Sequence, residues 1–81
     1  MYVVYILKDK KDKLYKGLTN NLRRRIQEHR RGKTKTTKSM KDLTVVYKEE
    51  YENFEEARKR EIYFKTAAGR KFISKILNTE S

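Results

Sequence analysis

The first seven residues, MYVVYIL, restrict the fold of this 81-residue chain more than any other segment. The run consists of apolar, aromatic and β-branched side chains and is too short for a typical helix, so it predicts a buried β-strand. Because the strand has no polar face, the other elements of the chain must supply the surfaces that cover it.

A hairpin is expected directly after this strand. Residues 9–12 (DKKD) form a polar turn, and residues 13–18 (KLYKGL) read as a second strand that pairs back on the first. If the hairpin is centred near Lys10, Tyr5 lies opposite Tyr15, and both rings share one face of the sheet. A register shift of one residue would separate them.

Residues 22–31 (LRRRIQEHRR) are expected to form a helix, which a following glycine ends. At about 100° per residue, Arg25 and His29 flank the apolar stripe of Leu22 and Ile26, whereas the other arginines face solvent. One guanidinium and one imidazole are therefore predicted to face the body of the protein. The helix has candidate caps in Thr19, Asn20 and Asn21.

The second half of the chain predicts one further strand and two helices. Residues 42–51 (DLTVVYKEEY) read as the strand, and Asn53 with Glu56 resembles a capping box that opens the next helix. On this helix Glu61 falls inside the apolar face. Gly69 predicts a break before a short amphipathic helix. The order β-β-α-β-α-α predicts an α+β fold, a small three-stranded antiparallel sheet flanked by helices.

The positive charge is concentrated in the first half of the chain. The net charge is +11, and residues 1–41 carry 14 Lys and Arg against three acids, whereas residues 42–81 carry eight of each. This asymmetry favours a polyanion such as DNA as the partner. Solubility alone is the simpler explanation of a basic surface, and no basic helix has the broad apolar face of a membrane-surface helix. The acid-free loop GKTKTTKSMK predicts phosphate contacts through Lys33, Lys35 and Lys38.

Length and composition predict a single domain over residues 1–81, with a small core. The chain contains no cysteine, which excludes disulfides and thiolate metal sites. No apolar run approaches the roughly 18 residues of a membrane span, and the amino terminus does not resemble a signal peptide. A cytoplasmic protein is therefore expected.

Four segments together make the sequence similar to the GIY-YIG nuclease family in its compact single-domain bacterial form. They are VVYIL, LYKG, NNLRRRIQEH and ARKREIYFK. By this resemblance, Tyr5 and Tyr15 correspond to the tyrosines of the two motifs that name the family. Arg25 corresponds to the catalytic arginine, His29 to a histidine or tyrosine of the site, and Glu61 to the metal-binding glutamate.

The sequence departs from the family pattern at three positions. Val3 replaces a glycine of the first motif, and Lys16 replaces an isoleucine of the second. Strand alternation places Lys16 on the face of Leu14 and Leu18, where its stem packs and its amine reaches solvent. The asparagine that family members often carry after the metal helix has only Asn78 as a candidate.

The resemblance implies hydrolysis of DNA phosphodiester bonds with one Mg²⁺ or Mn²⁺ held by Glu61. Either Tyr5 or Tyr15 would act as the base, Arg25 would stabilise charge on the phosphate, and His29 would donate to the phosphate or orient the base. Lys16, Arg24 and the loop lysines would contact DNA without sequence selectivity or with selectivity for its structure.

Three alternatives remain at this point. A nucleic-acid-binding module with this fold that no longer cleaves is supported by Lys16 and by the asparagine position, for which Asn78 is the only candidate. A structural adaptor fits the uneven charge less well. Arg25 and Glu61 are also compatible with a buried ion pair of purely structural value.

Overall fold

The computed structural model describes residues 1–31 and 42–78. It confirms the predicted α+β class and the order of the elements. Three antiparallel strands form a sheet in the order β2-β1-β3, so the apolar amino-terminal segment is the central strand. The elements are β1 (Tyr2–Lys8), β2 (Leu14–Thr19), α1 (Leu22–Arg30), β3 (Thr44–Tyr51), α2 (Phe54–Phe64) and α3 (Ala67–Asn78).

The central strand β1 is buried on both faces, as its composition predicts. Val4 and Ile6 point into a core shared with α2 and α3. Tyr5 and Leu7 point the other way, into a second core that α1 and the start of β3 complete. All four side chains are completely buried. The strand therefore separates two layers, and each face of the sheet has its own set of helices.

The predicted hairpin register is wrong by two residues. Tyr5 pairs with Gly17, and Tyr15 pairs with Leu7 instead of Tyr5. The shift arises because the connecting loop is longer than predicted: the Asp9 side chain accepts hydrogen bonds from the backbone N–H groups of residues 11 and 13, and Asp12 adopts φ 65°. Since a shift of two keeps every side chain on its face, both tyrosines still share one face of the sheet.

The start of α2 is as predicted, but the break between α2 and α3 lies before the residue expected to make it. Asn53 caps α2 by accepting a hydrogen bond from the Glu56 N–H group, as predicted. The break between the two helices lies at Lys65 and Thr66, and Gly69 is inside α3. A Cβ atom built on Gly69 would lie 1.9 Å from the Tyr63 carbonyl oxygen, so this glycine permits close helix contact and does not end a helix.

A cluster of hydrogen-bonded side chains connects α2 to β3. Arg60 donates two hydrogen bonds to the Glu49 carboxylate, at 2.8 and 3.2 Å, and its guanidinium stacks on three aromatic rings of α2 and α3. Tyr47 and Tyr51 donate to the same carboxylate. Burial alone would raise the pKa of Glu49, but these hydrogen bonds outweigh it and lower the pKa. The cluster holds one helix layer in place.

No helix within residues 1–31 and 42–78 is long and apolar enough to cross a membrane.

Candidate active site

The two tyrosines of the candidate site are positioned by the hairpin. Tyr5 is completely buried, and its ring lies across Gly17 of the neighbouring strand. A Cβ atom at Gly17 would lie 2.4 Å from the Tyr5 hydroxyl oxygen, so only glycine leaves room for this ring. Tyr15 is half-buried, and its ring centroid lies 6.2 Å from that of Tyr5. The strand pairing therefore brings the two phenols together.

Helix α1 adds the histidine to this pair. Asn21 begins the helix by accepting a hydrogen bond from the Arg24 N–H group. Leu22 and Ile26 then pack against the tyrosine face of the sheet, which turns His29 inward. His29 is 1% exposed, and its Nε2 lies 2.8 Å from the Tyr5 hydroxyl oxygen.

The rings of Tyr5, Tyr15 and His29 form one aromatic cluster. The imidazole centroid lies 4.8 Å from that of Tyr15 and 5.9 Å from that of Tyr5, and both pairs are edge-to-face.

Arg25 borders the cluster one helical turn before His29. It pairs with Glu28 at 3.2 Å, and both side chains are about one-third exposed. Burial raises the pKa of Tyr5 to about 12, and hydrogen bonding to Arg25 only partly offsets this effect. Burial also lowers the pKa of His29, and the Arg25 charge lowers it further. The site therefore combines a protonated phenol, a neutral imidazole near pH 7 and a fixed cation.

Glu61 lies in the other layer. It is 8% exposed and shares the buried side of α2 with Ala57 and Phe64, which pack on the face of the sheet opposite Tyr5. Its carboxylate accepts hydrogen bonds from Arg58 at 2.6 Å and from Lys65 at 3.4 Å. The interpretation of Arg25 and Glu61 as an ion pair is wrong, because each pairs within its own helix.

Lys16 also lies on the α2 side of the sheet, as alternation predicts, opposite Ile6. Burial lowers its pKa, and the charges of Arg70 and Lys65 lower it further. Lys16 and Glu61 are thus near the same edge strand, on the side away from the tyrosines. The structure brings four of the five predicted catalytic residues together on one face.

The structure describes only some of the other residues that the sequence analysis names. Arg24 is exposed near the start of α1. Lys33, Lys35 and Lys38 lie outside the described residues. Asn78 is the last residue of α3. Sequence reasoning missed Glu28 as the partner of Arg25, although its spacing of three residues on a helix is a sufficient signal.

Metal ligands are sparse in the part of the chain that the structure describes. Within residues 1–31 and 42–78, no group of three or more histidine or acidic side chains could hold a metal ion. Any metal bound near Glu61 would therefore rely on this carboxylate and on water, a pattern that Mg²⁺ tolerates.

Comparison with known protein families identifies the family to which the chain belongs. Residues 1–74 match the family described as "GIY-YIG catalytic domain". The chain belongs to the GIY-YIG family. Membership in the GIY-YIG family places the chain in a nuclease superfamily, which implies a nucleic acid substrate, and such nucleases typically use a divalent metal ion.

Individual relatives agree with this assignment. The chain is 47% identical over 66 residues to a UPF0213 protein of Clostridium perfringens, covering 80% of this chain and 71% of that protein. It is 41% identical over 66 residues to a UPF0213 protein of Staphylococcus haemolyticus, covering 80% of each chain.

A solved structure has the same fold. The solution NMR structure of a UPF0213 protein from Bacillus halodurans matches with a TM-score of 0.59 and 32% identity, covering 94% of this chain and 83% of that one. These relatives have the same compact form, and their names state no activity.

Proposed function

We propose that this protein is a magnesium-dependent endonuclease that hydrolyses DNA phosphodiester bonds. The observation that carries the proposal is the cluster of Tyr5, Tyr15, His29 and Arg25 on one face of the sheet. Hydrolysis requires a group that accepts a proton from water and a cation that stabilises the charge of the phosphorane. The cluster offers both within a few ångströms.

The two tyrosines differ in solvent exposure, and we give them different roles for this reason. Tyr5 is completely buried with a pKa of about 12, whereas Tyr15 is only half-buried, so Tyr15 is the phenol that can reach a water molecule. The Tyr15 ring also lies beside that of Tyr5, with 6.2 Å between the ring centroids. In this assignment Tyr15 accepts the proton of the attacking water and passes its own proton to Tyr5. Tyr5 passes its proton to the neutral His29 Nε2.

Arg25 is the group that stabilises negative charge on the non-bridging phosphate oxygens. Its guanidinium can donate two parallel hydrogen bonds to a phosphate. The ion pair with Glu28 holds the side chain beside the cluster but leaves it one-third exposed, so the guanidinium remains accessible. A lysine could not replace this planar donor, because it provides a single point charge.

Glu61 is the residue that would hold the metal ion, either Mg²⁺ or Mn²⁺. One carboxylate suffices for an ion that keeps most of its waters, and the two cations paired with Glu61 are half-exposed and able to move away. Because Glu61 and the aromatic cluster lie on opposite sides of the sheet, a bound ion would supply positive charge only to a phosphate that lies across the edge strand β2. Removal of Arg58 should therefore strengthen metal binding, because it frees one carboxylate oxygen.

DNA binding would rest on the charge of the first half of the chain. Arg24 is exposed at the start of α1, and Lys16 lies on the other face of the edge strand. Residues 32–41 of the sequence add Lys33, Lys35 and Lys38. Contacts of lysine and arginine with phosphates are indifferent to sequence. The expected partner is therefore DNA recognised through its backbone or its structure.

A DNA-binding module without nuclease activity is the second candidate. The observation that favours it is the carboxylate of Glu61, whose two oxygens accept hydrogen bonds from Arg58 of α2 and from Lys65, which caps the end of α2. If Arg58 and Lys65 do not release Glu61, no metal ion binds, and the basic surface would still hold DNA.

The deciding experiment measures cleavage of supercoiled, branched and flapped DNA with Mg²⁺ and with EDTA. Arg25→Ala and Glu61→Gln should each lower cleavage by at least about 100-fold, the loss typical of a removed charge-stabilising group. Arg23→Ala on α1 and Glu56→Gln on α2 are matched controls, because both residues are exposed on the same helices. The controls should cleave normally.

Thermal melts of the same variants separate function from stability. The pair of Arg25 and Glu28 is partly exposed, so its loss should cost less than about 1 kcal/mol. Full activity of either Arg25→Ala or Glu61→Gln would refute the site assignment. A wild-type protein that binds DNA and cleaves none of these forms would establish the binding module instead.

A further inference from the structure

An open cleft of about 390 Å³ lies beside the aromatic cluster. It forms where β1 begins, β2 ends, and both α1 and α2 begin. Its walls include the aromatic side chains of Tyr2 and Phe54 and the charged side chains of Arg24, Arg25 and Glu28. This volume falls near the lower end of the range for small-molecule pockets. The cleft can therefore take a group of nucleotide size but not a duplex.

The aromatic wall offers a stacking surface. Phe54 is 50% exposed, which is unusual for a phenylalanine at the start of a helix. Tyr2 contacts it edge-to-face at 5.6 Å and holds its ring in orientation. An oriented, half-exposed aromatic ring is the kind of surface on which proteins stack unpaired bases without regard to sequence.

The charged wall offers phosphate contacts. Arg24 is exposed and makes no ion pair with the rest of residues 1–31 and 42–78. The charge of Glu28 is neutralised by Arg25, so Arg24 leaves the cleft with a net positive charge. A ring for a base and a cation for its phosphate thus border the same space.

Arg25 connects the cleft to the candidate active site. Its side chain lines the cleft, and its guanidinium also interacts with Tyr5 in the aromatic cluster, where it partly offsets the rise in the pKa of Tyr5 that burial causes. A nucleotide in the cleft would therefore be adjacent to a phosphate held at the cluster.

We infer that this cleft binds one unstacked nucleotide of the DNA substrate, next to the phosphate that Tyr15 and Arg25 would act on. The inference rests on the proposed function and adds the substrate class: DNA with an unpaired nucleotide at the cut site is preferred over continuous duplex. The base stacks on Phe54 and its phosphate contacts Arg24. A base inside a continuous duplex must first be unpaired and unstacked to enter the cleft, which costs about a few kcal/mol that an unpaired base does not pay.

The test measures binding without metal, so that it does not depend on cleavage. Fluorescence anisotropy compares a duplex carrying a short single-stranded flap with a fully paired duplex of the same strand length. The wild type should bind the flap about tenfold more tightly. Phe54→Ala should bring the two affinities within about twofold of each other, while Phe54→Tyr keeps the preference because it retains an aromatic ring.

The matched control is Ile62→Ala, which removes an apolar side chain of the same 50% exposure from the same helix but outside the cleft. It should leave the preference unchanged. A second readout uses 2-aminopurine as the first unpaired base, whose fluorescence falls when it stacks. Wild type should quench it, and Phe54→Ala should not.

Equal affinity of the wild type for both DNAs, or an unchanged preference in Phe54→Ala, would overturn the inference. Failure of the inference and failure of the proposed function are distinguishable. Preference and quenching that depend on Phe54, in a protein that cleaves no DNA, would support the cleft and refute the nuclease. Cleavage with equal affinity for both DNAs would support the nuclease and refute the cleft.

Discussion

Replacement of Gly17 by alanine tests the packing that creates the candidate site. The new Cβ atom would lie 2.4 Å from the hydroxyl oxygen and 2.5 Å from Cζ of Tyr5, whereas ordinary contacts begin near 3.4 Å. Tyr5 is completely buried between His29 and Tyr15, so its ring cannot swing into solvent. Relief of the overlap requires the ring or β2 to move by about 1 Å.

The size of the effect follows from two opposing contributions. Overpacking of a core by one methyl group costs about 1–3 kcal/mol. Alanine also restricts the unfolded chain more than glycine does, which stabilises the folded state by about 0.5–1 kcal/mol. Three atoms of Tyr5 lie within 2.9 Å of the new Cβ atom, so the overpacking cost falls at the upper end of its range, and Gly17→Ala should lower the free energy of unfolding by about 2 kcal/mol, or the melting temperature by about 8–16 °C for a domain of this size. Displacement of Tyr5 would also break its hydrogen bond to His29 and lower activity.

Thermal denaturation followed by circular dichroism measures this loss of stability. The same substitution made in two Tyr5 variants identifies its cause. Tyr5→Phe removes the hydroxyl oxygen but leaves Cζ 2.5 Å from the new atom, so the alanine should remain costly. Tyr5→Leu removes both contacts, and Gly17→Ala should then be nearly neutral. A Gly17→Ala protein as stable as the wild type would refute the reasoning. An equal loss in the Tyr5→Leu background would show that Tyr5 is not the obstacle.

Three other predictions concern helix packing, pH and salt. Gly69→Ala should destabilise the protein by at least about 3 kcal/mol in urea denaturation, because its Cβ atom would meet the backbone of Tyr63 and Phe64, which cannot move aside as a side chain can. A loss below about 1 kcal/mol would contradict the close packing of α2 and α3. The lowered pKa of His29 means that the unfolded chain takes up this proton first, so stability should fall as the pH drops below about 6.5. His29→Gln should remove that part of the pH dependence, and an unchanged pH profile would argue against a neutral buried imidazole. Replacement of Lys33, Lys35 and Lys38 by glutamine should weaken binding to unrelated DNA sequences. The slope of the logarithm of affinity against the logarithm of salt concentration should become shallower by about one unit per lost phosphate contact. Unchanged affinity would show that these lysines do not contact DNA.

Much of the fold follows from local sequence patterns. The apolar run of β1 predicts a buried strand, and the Asn53 cap predicts the start of α2; both are confirmed. The hairpin register was missed, because it depends on how the Asp9 side chain organises the loop. The role of Gly69 was missed for a related reason: a glycine that ends a helix and one that admits a neighbouring helix look alike in sequence.

The sequence by itself determined the direction of each candidate side chain around its own element. Strand alternation places Tyr5 and Tyr15 on one face, and helical periodicity turns Arg25 and His29 toward the protein. Because these periods are properties of the backbone, they hold whatever the neighbouring elements are.

Only the tertiary structure decided which element covers which face. Helix α1 packs on the tyrosine face and completes the cluster, whereas α2 packs on the opposite face and keeps Glu61 in the other layer. That choice depends on contacts between residues far apart in the chain, and periodicity within one element carries no information about them. Because the two layers lie on opposite faces of the sheet, Arg25 and Glu61 form no ion pair with each other, and each pairs with a charge close to it in the chain.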